Sequence, residues 1–157
     1  MVELARLHDQ STALDPIAKV EEVVHWVRVS CGRDERFSRE LFRALEGQEP
    51  GPSRISVLHT GLWVAIEDCQ RALDQRLLRG AISPEVLGRE LASRVDQALH
   101  LWLRGVCTLD EMERQALIGC CVTLAADATP ALHERLVAKI RALQRTGARP
   151  KAKRRPD

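Results

Sequence analysis

Aromatic side chains are scarce in this sequence, which has no tyrosine, two phenylalanines and three tryptophans among its 157 residues. The hydrophobic core must therefore be built from leucine, valine, isoleucine and alanine, which suit the packing of helix against helix. Few rings remain for stacking on nucleic-acid bases, the usual means of holding single strands.

The sequence also lacks a disulfide pattern, a secretory leader and an apolar run of membrane length. Charged residues interrupt the N-terminus before an apolar leader can form, and the apolar segment 116–126 is far shorter than the ~20 residues that span a bilayer. The odd number of cysteines, without Cys-x-x-Cys spacing, predicts a cytoplasmic protein with reduced thiols and no membrane association. These cysteines are Cys31, Cys69, Cys107, Cys120 and Cys121.

Recognisable catalytic and metal-binding motifs are missing as well. There is no glycine-rich phosphate loop, no serine flanked by glycines and no evident pair of nucleophile and base. Glu22 and His25 have the Glu-x-x-His spacing of di-iron bundles, but those proteins need two such motifs, so we interpret the pair as a surface contact. Asp96 and His100 receive the same interpretation. We predict no catalytic residue, cofactor or metal, and keep an enzyme or metal protein as a third hypothesis.

Helical periodicity is what the sequence does have, most clearly between residues 55 and 79. Apolar residues recur there every three or four positions, as on one face of an α-helix and in no strand. They are Ile55, Leu58, Leu62, Ile66, Cys69, Leu73 and Leu77. We predict a central helix that begins after Ser53, ends at Gly80 and is apolar on two sides in its first half.

Start signals for other helices recur along the chain, each an N-cap residue, often followed by proline, or a capping box. They are Asp15-Pro16, Asp34, Ser83-Pro84, Thr108 with Glu111, and Thr129-Pro130. In the helix after Asp34 we expect Phe37 to face inward. Valines in residues 20–31 leave a strand as an alternative there, although the period favours a helix. The fold class predicted is all-α, an antiparallel bundle of five to seven helices without significant β-sheet.

The segment 116–126 is apolar on every side, which predicts a buried helix. Gly119 within it would let a neighbouring backbone approach closely. We expect this segment to lie against the helix of residues 55–79 and to form the core with it.

Proline and glycine between residues 47 and 53 divide the chain, because they cannot continue a helix. We predict an N-terminal helical segment at 1–47 that packs on the main bundle, a Pro/Gly linker at 48–52, a core bundle at 53–146 and a disordered basic tail at 147–157. A separate N-terminal unit is the alternative.

The net charge of +2 arises at the C-terminus, where residues 149–157 hold five basic residues and one acidic residue. A second basic feature is an arginine stripe on one face of the helix after Asp34, with glutamates interleaved. Both features are candidate contacts for nucleic acid or an acidic partner, although for the stripe we favour a solvated, neutralised face. The candidates are Arg33, Arg36, Arg39, Arg43, Arg149, Lys151, Lys153, Arg154 and Arg155.

Trp63, Val57 and Val64 lie at the edge and on the far side of the central helix. They are either core residues or part of an exposed apolar groove that takes a partner helix or a second copy of the chain. Our leading hypothesis is a non-catalytic helical protein that acts by binding another protein, as an adaptor or regulator that also self-associates. Nucleic-acid binding through the tail and the stripe is the second hypothesis.

Overall fold

Six helices account for most of the chain that the computed structural model describes, which is residues 15–46, with the backbone alone for 41–46, and residues 64–147. They are α1 (Pro16–Gly32), α2 (Glu35–Glu46), α3 (residues 64–74), α4 (Pro84–Leu103), α5 (Leu109–Ala125) and α6 (Pro130–Gly147). In these two ranges there is no β-strand, and one isolated bridge joins Leu78 to Ala128. The predicted all-α fold is confirmed.

The helices begin where their capping residues predict. The Asp34 carboxylate accepts a hydrogen bond from the Phe37 amide at 2.9 Å, and Thr108 and Glu111 form the reciprocal capping box. Asp15 and Ser83 cap α1 and α4 in the same way, each with proline at the first helical position. Residues 20–31 lie within α1, so the valine-rich segment is helical.

The end of α3 differs from the prediction. The helix stops at residue 74 instead of reaching residue 79, and Arg76 adopts a left-handed conformation with φ of 57°. The buried carboxylate of Asp127 accepts the amides of Gly80 and Ala81, both at 2.9 Å. A helix through residue 79 would use its amides internally, so this anchor requires the chain to leave the helix earlier.

The bundle is antiparallel around α5. One buried cluster contains Leu91 of α4, Leu124 at the end of α5 and Leu132 at the start of α6. The other contains Trp102 near the end of α4 and Met112 near the start of α5. Consecutive helices therefore run in opposite directions.

Helix α1 packs on this bundle and runs in the same direction as α4. Ile17, in its first turn, belongs to the cluster of Leu91, whereas Val24 belongs to the cluster of Trp102. The predicted linker at 48–52 lies outside the described residues, as does the tail from residue 148 onward.

The predicted meeting of the central helix with the segment 116–126 is present in the described part. Cys69 and Ala72 of α3 share a buried cluster with Cys120, Cys121 and Leu124 of α5. The segment is not buried on every side, however, because the side chain of Val122 is 55% exposed.

The inward position predicted for Phe37 is wrong, since this side chain is 61% exposed. Arg39 is the residue of α2 that faces the bundle, with its guanidinium 4.7 Å from the centre of the Trp102 ring. Phe37, two positions earlier, therefore lies ~200° around the helix from Arg39 and points to solvent.

The close approach of two helices occurs at Gly88 instead of Gly119. A Cβ placed on Gly88 would lie 2.7 Å from the Ile66 backbone nitrogen and 2.8 Å from its Cα, so α3 and α4 are in direct backbone contact. A Cβ on Gly119 would meet only the side chain of Arg94, at 3.2 Å. Glycine is therefore required where α3 crosses α4.

Candidate functional site

The largest apolar concavity in the described part of the chain is a half-open groove, which we call the α1–α4 groove. Its walls are α1 and α4, α3 closes one end, and α5 forms the floor. It encloses about 180 Å³. On the α1 wall lie Val20, Val23, Trp26 and Val27, and on the α4 wall Leu91, Ala92, Val95 and Leu99.

The two walls are continuous apolar rows because of helical spacing. Val20, Val23 and Val27 step by three and four positions along α1, as do residues of α4, so each row lies on one face. The faces of α1 that hold Ile17 and Val24 are already buried in the core. Helix α1 therefore has a second apolar face, only half-buried, toward the groove.

Three ionisable side chains line the groove, Lys19 on α1, Asp68 on α3 and Asp96 on α4. The Lys19 side chain is buried, and its amine lies 3.6 Å from Glu22. Asp68 lies 3.8 Å from Arg71 of the same helix, and Asp96 lies 3.4 Å from His100. The predicted contact between Asp96 and His100 is thus present.

Two thiols form part of the groove floor, Cys69 of α3 and Cys120 of α5. Burial raises the pKa of Cys69 to about 12, with a further increase from Asp68. Burial also raises the pKa of Cys120 to about 12, and the neighbouring Cys121 adds to this effect. Both thiols are protonated near neutral pH and act there as small apolar side chains, since the thiolate is the reactive form.

An ionic network holds the α1 wall in place on α5. Arg28 lies 2.7 Å from Asp110 and 3.0 Å from Glu113, and His25 lies 3.5 Å from Glu113. The hydrogen bond to Asp110, with the charge of Glu113, raises the pKa of Arg28 above its ordinary value. The predicted contact between Glu22 and His25 is wrong, because these side chains pair with Lys19 and Glu113 instead.

The arginine stripe does not form a uniform basic surface. Arg33 and Arg36 are exposed, but Arg36 lies 3.2 Å from Glu40. Arg39 is turned toward Trp102 and lies 3.9 Å from Glu35. The side chain of Arg43 falls outside the described part, as do Arg149, Lys151, Lys153, Arg154 and Arg155.

Among the residues predicted for a protein interface, Val64 lines the α1–α4 groove at the α3 end. Val57 and Trp63 lie outside the described residues. The α1 and α4 walls were not predicted as an interface. The available signal was the extra valines of α1, which exceed what one buried face requires, but their partner row on α4 cannot be located from local sequence.

The described side chains contain no group of three or more histidine, cysteine, aspartate or glutamate residues placed to hold a metal ion. In residues 15–46 and 64–147, no helix is long and apolar enough to cross a membrane. Comparison of the chain with protein-family models, with characterised proteins and with solved structures finds no match. We therefore infer function from the groove and its chemistry.

Proposed function

We propose that this chain is a protein-binding module whose α1–α4 groove receives an amphipathic helix from another protein. The observation that carries the proposal is the pair of parallel apolar rows, which nothing fills in the part of the chain that the structure describes. Grooves of this kind bind the apolar face of a helix at positions three and four residues apart. Adaptor or regulator is the role that fits such binding.

The dimensions of the groove favour a helix over a small molecule. The enclosed volume of about 180 Å³ is below the ~300–1,000 Å³ of typical small-molecule sites. Leu91 and Leu99 are eight residues apart, so the α4 wall extends for roughly 12 Å, about two helical turns. The groove is therefore suited to the row of side chains that projects from a docked helix.

The chemistry of the lining favours binding over catalysis. The two thiols on the floor are protonated near neutral pH, and the lining carboxylates of Asp68 and Asp96 lie near Arg71 and His100 on their own helices. Since all five cysteines are free thiols, we also propose that the protein works in a reducing compartment, the cytoplasm.

Photo-crosslinking from the groove tests this proposal. A benzophenone amino acid replaces Trp26, at the groove edge, or Phe37, which is 61% exposed on α2 and serves as the aromatic control. Irradiation in cells that express the full chain should give a protein adduct from position 26 and not from position 37. Mass spectrometry should place the crosslink on an amphipathic helix of the partner.

Three other results would contradict the proposal. Equal adducts from both positions would show that the groove is not the binding surface. An adduct to nucleic acid would favour the second hypothesis. Adducts confined to two copies of this chain would show that the groove serves self-association alone.

A further inference from the structure

The edge of the α1–α4 groove is acidic, and this limits the kind of helix that can dock there. Two carboxylates, Asp68 and Asp96, and one amine, Lys19, line the groove. Lys19 is already paired with Glu22 at 3.6 Å, so its charge is largely offset. Because Lys19 is also buried, it presents little positive charge to an approaching partner.

The remaining charges beside the groove do not restore neutrality. Arg71 of α3 is shared between Glu67 and Asp68, at 3.8 Å from each. Asp96 lies 3.4 Å from His100, which carries a full charge only when protonated. The groove and its edge therefore hold four carboxylates against two permanently charged cations.

We propose that the helix received by the groove is basic along the edges of its apolar face. The proposal rests on the function proposed above and names the chemistry of the partner. A lysine or arginine that flanks the apolar row of the docked helix would lie near Asp96 on the α4 wall. An acidic helix with the same apolar face would meet like charges there, and this excludes wrong partners more than it adds affinity.

The test uses two fluorescent 18-residue peptides with the same leucine face, one with lysine and one with glutamate on the polar face. Anisotropy titration of the full chain at low ionic strength should show that the lysine peptide binds about tenfold more tightly. In about 1 M salt, where the Debye length is only ~3 Å, this ratio should approach one.

Three variants assign the effect to the groove. Asp96→Asn should lower the ratio by about two- to fivefold, the range for an exposed ion pair. Asp74→Asn is the matched control, since Asp74 is exposed on α3, outside the groove lining, and accepts a hydrogen bond from Gln70 at 2.9 Å. Val23→Glu should abolish binding of both peptides, and Trp26→Ala, which is milder, should weaken both if Val23→Glu fails to fold.

The outcomes separate the two proposals. Equal binding of both peptides, sensitive to Val23→Glu, would overturn the basic partner and leave the helix-binding groove in place. Binding of the lysine peptide that is insensitive to Val23→Glu and Trp26→Ala would place it elsewhere on the surface and overturn the inference. Failure of both peptides to bind would overturn the groove itself. A dimer by light scattering that neither peptide dissociates would identify a second copy as the occupant.

Discussion

Gly88→Ala should destabilise the protein, although it places a better helix former inside α4. Relative to glycine, alanine in a helix interior gains about 1 kcal/mol. At this position the new Cβ would lie 2.6 Å from Ile66 Cγ1 and within 2.8 Å of the Ile66 backbone. Real Cβ contacts are essentially never this short, and a backbone cannot move aside as a flexible side chain can.

The magnitude follows from the two opposing effects. Forcing α3 and α4 apart is a case of overpacking, which typically costs about 1–3 kcal/mol. After the gain in propensity, we expect a net loss of roughly 1–2 kcal/mol in the free energy of unfolding. Urea denaturation followed by circular dichroism measures it, and the midpoint of thermal unfolding should fall by about 2–4 °C for each kcal/mol lost.

Gly119→Ala is the matched control for this prediction. Its Cβ would meet only Arg94 side-chain carbons, all at 3.2 Å, and an arginine stem that is partly exposed can shift. We expect a change between zero and a gain of about 1 kcal/mol. If Gly88→Ala proves as stable as the parent while Gly119→Ala is destabilised, the backbone contact between α3 and α4 is wrong, and with it the shape of the groove at its α3 end.

Two further predictions concern α2 and the buried thiols. Arg39→Ala should cost about 1 kcal/mol, because its guanidinium stacks on buried Trp102, whereas Arg36→Ala, with a side chain 90% exposed, should change stability by less than about 0.5 kcal/mol. Equal losses in urea denaturation would show that the Trp102 contact contributes nothing. Stability should also fall in alkali, because thiols with pKa raised by burial, about 12 for Cys69 and Cys120, stay protonated in the fold while the unfolded chain loses protons above pH ~8.5. The loss is absent below that pH and amounts to about 1.4 kcal/mol per pH unit per thiol up to the folded pKa, so Cys69→Ala should flatten the decline, and an unchanged slope would contradict the burial of this thiol.

Local signals predicted the helix starts and most of the inward faces. The hydrogen bonds of Asp34 and of the Thr108–Glu111 capping box lie within a single turn, so neighbouring residues are sufficient to specify them. The inward row of α4, from Leu87 to Trp102, follows its period and is buried or half-buried throughout. Phe37 was misplaced because α2 presents Arg39 to Trp102, a contact across the bundle that no local pattern contains.

The sequence by itself determined that this chain is helical and where most of its helices begin, because caps and periodicity act over three or four residues. Only the tertiary structure decided where α3 ends, because the carboxylate that holds the following loop belongs to Asp127, 47 positions after Gly80. It also decided that the close contact is at Gly88. The groove likewise exists only in three dimensions, since the valines of α1 and the leucines of α4 are about 70 residues apart along the chain and meet through packing on α5.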